Sequence, residues 1–268
     1  MTGGPAAGSD DLGASGRRDA VPAVPDHGPV EPAAAMAVPV EPEPEMTADV
    51  FGDGVDRARR YVELLATDGI LHGLIGPRER ARLWSRHVLN SAVAAPLLPA
   101  DGTIVDIGSG AGLPGIPMAI ARPDCRLVLV EPLERRCAFL VAAIAALGLE
   151  NCEVVRGRAE QVAATHGGAD AATSRAVAPL AKLAGWSVPF LRTGGELLAL
   201  KGSSASEEIE RDRAALLRLG LAELSVIPVG AGVVDPPTQV VRGVMGARPA
   251  AAGRSSRSSR RSGRSARG

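Results

Sequence analysis

The sequence predicts an α/β fold: a mostly parallel seven-stranded sheet with helices on both faces, preceded by an N-terminal helical segment. Three observations predict it. From about residue 101 to 246, short apolar runs alternate with segments of helical spacing, the pattern of a parallel sheet covered on both faces. A glycine-rich turn, Gly108 to Gly115, follows the first of those runs. The last two runs are joined by a Gly/Pro-rich loop with no helix, which predicts an antiparallel hairpin at one end of the sheet.

The elements follow in order. Residues 1–46 hold eight Pro, six Gly and nine Ala, with the run Glu41-Pro-Glu-Pro-Glu45. Such a segment buries too little apolar surface to offset its ordering entropy, so it reads as a disordered Pro/Ala/acidic tail. The fold is expected over 47–246, with N-terminal helices in 47–100 and the sheet in 101–246. Residues 54–69 and 76–98 place Tyr61, Leu64 and Leu65, then Leu83, Val88, Val93 and Leu97, at helical spacing, and Pro77 suits a first helical turn. Strands are expected at 103–107, 126–131, 152–156, 169–173, 195–200, 221–229 and 239–245. Helices are expected at 114–122, 134–147, 180–191 and 206–219. From Ala247 the chain is rich in Ser, Arg and Gly, and 247–268 reads as a second disordered tail.

Composition excludes several classes. Only six residues are aromatic, too few for an exposed base-stacking platform. The three cysteines, Cys125, Cys137 and Cys152, form no CxxC pair and are too few for a disulfide framework or a zinc site. A reducing cytoplasm is the expectation, with no signal peptide, because the N-terminus lacks an apolar core region. The longest apolar stretch, Ala138 to Leu149, has 12 residues, too short to span a bilayer. The four histidines, His27, His72, His87 and His166, have no ligand spacing, so no metal is expected.

The most informative stretch is Val105-Asp-Ile-Gly-Ser-Gly-Ala-Gly-Leu-Pro-Gly115. Glycines there let the backbone turn tightly and let a ligand approach without meeting a Cβ. Gly110-x-Gly112-x-x-Gly115 formally satisfies the dinucleotide fingerprint, so NAD must be weighed. Two features point elsewhere. Asp106, at the strand end, suits a cofactor carrying an ammonium and a sulfonium, directly or through water, and repels a pyrophosphate. Pro114 removes one N–H from the helix start. The loop resembles the S-adenosylmethionine loop of class I methyltransferases. Glu131, 23 residues after Gly108, can accept both ribose hydroxyls in NAD and S-adenosylmethionine proteins alike.

A more specific resemblance follows. Asp106-x-Gly-x-Gly-x-Gly-Leu-Pro-Gly115-Ile-Pro117, Arg135-Arg136-x-x-Phe139-Leu140, Gly157-Arg158-Ala159-Glu160, Ser174-Arg175-Ala176 and Lys201-Gly202 occur in order, with Arg86-His87-x-x-Asn90-Ser91 upstream. Over about residues 55–245 the chain resembles the bacterial small-subunit rRNA methyltransferase G family (RsmG, also called GidB). The resemblance implies a class I, Rossmann-like methyltransferase fold that uses S-adenosyl-L-methionine. It implies methylation of N7 of one guanine in the decoding-region loop of 16S rRNA, on free rRNA or a small-subunit precursor. It implies cofactor contacts from Asp106, Gly108, Gly110, Gly112, Leu113, Glu131, Ala159, Glu160 and Arg175. Among these, Gly108 and Leu113 would face the methionine end, and Ala159 and Glu160 the adenine. Arg175 would also be catalytic, at the mouth where cofactor and target meet. Arg86, Arg135, Arg136 and Lys201 are the candidate RNA contacts, and His87 would orient the N-terminal helices. Asn90 departs from the family's usual Asp, and the segment Gly73-Leu74-Ile75 lacks the Asn-Leu commonly found before it. A monomer is expected.

Two other readings share the fold: a methyltransferase acting on a protein or small molecule, and a non-catalytic RNA-binding protein. Amino-group methylation would show Asn/Asp-Pro-Pro-Tyr/Phe where Thr173-Ser-Arg-Ala176 stands. Loss of Gly108, Gly110 or Glu131 would favour the non-catalytic reading, and all three are present. The net charge of zero is an average. Residues 1–46 carry two Arg and eight acids, whereas 247–268 carry seven Arg and no acid. The C-terminal segment is thus an arginine-rich arm of the kind that adds salt-dependent affinity for RNA phosphates.

Overall fold

The computed structural model describes residues 37–175 and 177–247. Seven strands form one sheet: β1 (Thr103–Ile107), β2 (Arg126–Glu131), β3 (Cys152–Arg156), β4 (Ala169–Arg175), β5 (Leu191–Lys201), β6 (Leu221–Val229) and β7 (Thr238–Met245). Their order is β3-β2-β1-β4-β5-β7-β6. β1 to β5 pair in parallel, and β7 runs antiparallel to both β5 and β6. The expected hairpin therefore closes one end of the sheet.

The strands read as near-continuous apolar runs because both faces are covered. Period-2 alternation divides them. Ile104, Leu127, Leu129, Ala171 and Leu198 pack with the N-terminal helices, α4 (Gly115–Ala121) and α5 (Glu134–Leu147). Val105, Ile107, Val128 and Val130 pack on the other face beside α6 (Ala159–Val162). Further along, α7 (Leu180–Ser187) and α8 (Ala205–Arg218) cover Ala172, Leu197 and Val241. Parity puts Asp106 on the Ile104 face, under the N-terminal helices.

The N-terminal segment differs from two plain helices. α1 (Thr47–Phe51) precedes α2 (Val55–Leu64), which widens into a π-helical turn at Leu65–Gly69. The expected helix over 76–98 is a succession: a 3₁₀ turn at Pro77–Arg82, a π-helical stretch at Leu83–Leu89, α3 (Asn90–Ala92) and a 3₁₀ turn at Ala95–Leu97. Apolar spacing locates such a segment but does not distinguish windings whose hydrogen bonds are satisfied from outside. β5 begins at Leu191 rather than 195. Leu191 pairs with Ala169 and Glu196 with Ala171, so the extra residues form a bulge around Gly194, whose φ is +77°.

The boundary at 46 also moves. Glu41 N donates to Arg80 O (3.0 Å), Ser85 N donates to Glu41 Oε2 (3.0 Å), and Glu43 pairs with Arg59 (2.8 Å). The acidic run is thus a strap over the N-terminal helices, seated by polar groups that an apolar-burial argument overlooks. The rest of that expected tail, 1–36, and residues 248–268 lie outside the described residues.

Candidate functional site

The β1–α4 loop is built from its own backbone. Gly108 N and Ser109 N both donate to Val130 O (2.8 and 3.2 Å), and Gly112 N donates to Ser109 O (2.7 Å). Two of its glycines have opposite duties. Gly110 (φ +59°) faces open space: a Cβ there would meet only Gly108 O, at 3.8 Å. Gly112 (φ +96°) is turned inward: a Cβ there would lie 2.5 Å from Ile116 Cδ1 and 3.0 Å from the Tyr61 hydroxyl. Gly112, expected at the cofactor, serves packing instead.

Asp106 is also placed differently from the direct reading. It is fully buried, and its Oδ2 accepts from Gly115 N (3.1 Å), stapling the loop to the start of α4. Its Oδ1 is buried without a hydrogen-bond partner. Burial pushes its pKa up to about 7, against the hydrogen bond from Gly115 N and the charge of Arg175. It lies beneath the loop and does not line the cavity.

That cavity encloses about 610 Å³ outside the carboxyl ends of β1, β2 and β4, where parallel α/β sheets bind ligands. Gly108, Gly110 and Leu113 form one side of it, and Ala159 and Glu160, at the start of α6, another. Glu131 ends β2 in its wall, only 1% exposed. One Glu131 oxygen accepts from Gly110 N and the other from Leu133 N (both 3.0 Å). A carboxylate has about four acceptor sites, so each oxygen keeps capacity for a hydroxyl donor. Arg136 Nη1 lies 3.7 Å from Glu131.

Arg175, at the end of β4, is locked by the N-terminal segment. Its Nη1 donates to Arg86 O (2.9 Å) and its Nη2 to His87 Nδ1 (2.8 Å). His87 Nε2 in turn donates to Glu79 Oε2 (2.7 Å). Burial and the Arg175 charge lower the His87 pKa to about 4, so the ring is neutral and its two nitrogens take opposite roles. Burial works to raise the Glu79 carboxyl, but His87, Arg82 and Arg86 hold it below its ordinary value. Burial also lowers Arg175, to about 10. The expectation that His87 orients the N-terminal helices has its geometry here. All three side chains line the cavity.

The remaining expected residues divide. Arg136 lines the cavity, whereas neighbouring Arg135 is exposed outside its lining. Arg86 and Lys201 line a second cavity. Lys201 corrects the sequence reading: Nζ donates to Ala178 O (2.9 Å) and pairs with Glu208 (2.8 Å), with its side chain 9% exposed. Its charge is spent inside the fold, not held out for a phosphate. Sequence reasoning missed Tyr61, Glu79 and Trp186. Tyr61, the one tyrosine, is buried and its hydroxyl donates to Ala111 O (2.7 Å), tying α2 to the glycine loop. A lone tyrosine in an apolar stripe needs a buried partner, which was the available signal. Glu79 and the cavity-lining Trp186 left none.

Comparison with known proteins identifies relatives over most of the chain. The family described as rRNA small subunit methyltransferase G (GidB) matches residues 55–233. Ribosomal RNA small subunit methyltransferase G of Rhodococcus jostii is 57% identical over 195 residues, covering 72% of this chain and 86% of that protein. The protein of the same name from Mycolicibacterium gilvum is 53% identical, covering 78% and 93%. Among solved structures, a SAM-dependent O-methyltransferase from Thermotoga maritima is 14% identical with a TM-score of 0.48, covering 60% of this chain and 66% of that one.

Proposed function

The chain belongs to the rRNA small subunit methyltransferase G family, and from that membership we propose the finer reaction: methyl transfer to N7 of one guanine in the decoding-region loop of 16S rRNA. The protein is an S-adenosylmethionine-dependent methyltransferase of small-subunit rRNA. The observation that supports cofactor-dependent chemistry is the cavity bounded by the Gly108–Gly110 backbone and buried Glu131, with Arg175 on its wall; family membership carries the guanine-N7 target.

The residues present fit the cofactor. Gly110 leaves backbone open to close approach, Glu131 keeps acceptor capacity for two ribose hydroxyls, and Asp106 places an unpartnered carboxylate oxygen beneath the loop. Ile75, Val130 and Trp186 supply apolar surface for an adenine. When bound, S-adenosylmethionine supplies an electrophilic methyl carbon on a sulfonium. Gly108 and Leu113 hold its methionine end, and Ala159 and Glu160 its adenine.

Guanine N7 has an in-plane lone pair and no proton, so the site needs no general base. The protein's task is to orient nucleophile and methyl carbon and to tolerate the positive charge that develops on the guanine. Arg175, held by Arg86 O and His87, orients guanine O6 or a phosphate. Glu160, and Asp106 in its ionised form, supply a favourable field. Arg86 and Arg136 contact the RNA. The arginine-rich segment 247–268 adds salt-dependent affinity. The protein works as a monomer in the cytoplasm. Three free thiols, and exposed apolar side chains scattered over different elements (Leu71, Leu133, Val141, Leu217), support this. Among the described residues no helix is long and apolar enough to cross a membrane.

The test is to map N7-methylguanine in 16S rRNA from cells with and without the gene. One decoding-region guanine should lose its methyl group on deletion. An unchanged map refutes the substrate reading. Calorimetric titration with S-adenosylhomocysteine and with NAD checks the cofactor, and binding of NAD alone would remove the methyltransferase reading.

A further inference from the structure

A second cavity, of about 360 Å³, adjoins the first without sharing its glycine loop. It lies outside the carboxyl end of β5, between the π-helical stretch Leu83–Leu89 and the loop that joins β6 to β7. Its volume is at the lower end of small-ligand pockets, which span roughly 300–1,000 Å³. It is therefore the size for one nucleotide. Arg86 and Lys201, two of the candidate RNA contacts, meet Asn90 in its lining.

The charge in the lining is under-neutralised. Arg82 and Arg86 share one carboxylate, Glu79, at 2.6 and 3.4 Å, and Glu79 also accepts from His87 at 2.7 Å. Both arginine side chains stay substantially exposed, at 48% and 60%. An exposed guanidinium pair sharing a single acid has donors to spare for a phosphate. Pro236 and Pro237 add apolar surface to the same lining, and exposed Asp235 is the one acid in it. That arrangement suits a nucleoside: a face for the base and an acceptor for a ribose hydroxyl or exocyclic amine. Arg86 ties the two cavities together, because its carbonyl holds Arg175 while the residue itself lines the second cavity.

We propose that this second cavity seats the nucleotide next to the methylated guanine, with its phosphate on Arg82 and Arg86 and its base against Pro236–Pro237. The inference rests on the reading of this protein as an rRNA methyltransferase. It assigns to the cavity the task of setting the register of the RNA strand, so that one guanine alone reaches Arg175.

The experiment uses the full-length protein, a 16S rRNA fragment containing the decoding-region loop, and two variants. Arg82→Ala removes one cation. Ser203→Glu adds a carboxylate at the cavity's exposed rim without touching the Glu79–His87–Arg175 chain. Both should bind S-adenosylhomocysteine as the wild type does and bind the RNA several-fold more weakly. For Arg82→Ala, the slope of log K against log salt should flatten by about one. In parallel, wild-type protein is irradiated on RNA carrying 4-thiouridine beside the target guanine. Cross-links should map to residues 234–239. Unchanged RNA affinity in both variants overturns the proposal. So does weakening by Arg82→Ala alone, which would place the effect in Glu79, and so do cross-links confined to the Arg135 side of α5. Failure of the wild type to methylate any rRNA would instead sink the functional reading beneath it.

Discussion

Replacing Asp106 with Asn should remove a pH dependence from folding. In the wild type the carboxyl is fully buried, one oxygen accepts from Gly115 N, the other has no partner, and its pKa is about 7 against an ordinary 3.8. Folding therefore takes up a proton between those two values. The stability this group contributes is fully present below about pH 3.8 and is lost as pH rises through 7. The whole gap corresponds to roughly 4 kcal/mol, of which roughly 2–3 kcal/mol falls between pH 5 and pH 8. Asn cannot ionise and still offers an oxygen to Gly115 N. Its amide N–H has no evident acceptor, at a cost of about 1–3 kcal/mol, but that cost does not vary with pH. Urea unfolding of both proteins without cofactor, from pH 5 to pH 8, measures the difference. The variant should gain roughly 2–3 kcal/mol on the wild type across that range. A difference that stays flat with pH would refute the burial argument and place Asp106 in a wetter site than the structure describes.

Three further outcomes follow from the same geometry. Gly112→Ala forces a Cβ against Ile116 and Tyr61 at φ +96° and should cost about 3 kcal/mol or more. Gly110→Ala carries only the strain of φ +59°, about 1–2 kcal/mol, but should weaken S-adenosylhomocysteine binding about tenfold or more by filling the cavity edge; equal behaviour of the two variants in melting and calorimetry would contradict their opposite placement. Arg175→Ala should slow methyl transfer to small subunits by about 10²-fold, and unchanged rate and cofactor affinity would take Arg175 out of the site. Lys201→Met removes the cation closest to Glu208, which keeps Leu180 N and Ser204 Oγ as donors, and should cost about 1–3 kcal/mol of stability while leaving the salt slope of RNA binding unchanged; a flatter slope would restore Lys201 as a phosphate contact.

The sheet was legible in the sequence because its evidence is local. Buried parallel strands show as apolar runs such as Leu127–Val130, and a tight turn with close ligand approach shows as the glycines after Ile107. Glu131 was legible for the same reason: an acid at the end of the second strand has a position that strand length alone dictates. The windings of the N-terminal segment were not, since apolar spacing tolerates α, π and 3₁₀ turns alike. Nor was the strap at Glu41 and Glu43, whose seating depends on Arg59, Arg80 and Ser85 lying opposite.

The sequence by itself determined the α/β class, the family, the glycine loop and the acid at the end of β2. Only the tertiary structure decided which way each of those residues turns. Strand parity sends Asp106 under the loop rather than into the cavity, and packing against Tyr61 and Ile116 takes Gly112 away from it. Lys201 finds Glu208 and becomes internal; Arg175 finds His87, 88 residues away in the chain, and is locked at the cavity wall. A residue's type limits the partners it can use, but the partner it meets depends on which distant elements the buried core brings alongside. That choice is made by packing, and it separates the groups free to bind from those the fold has already consumed.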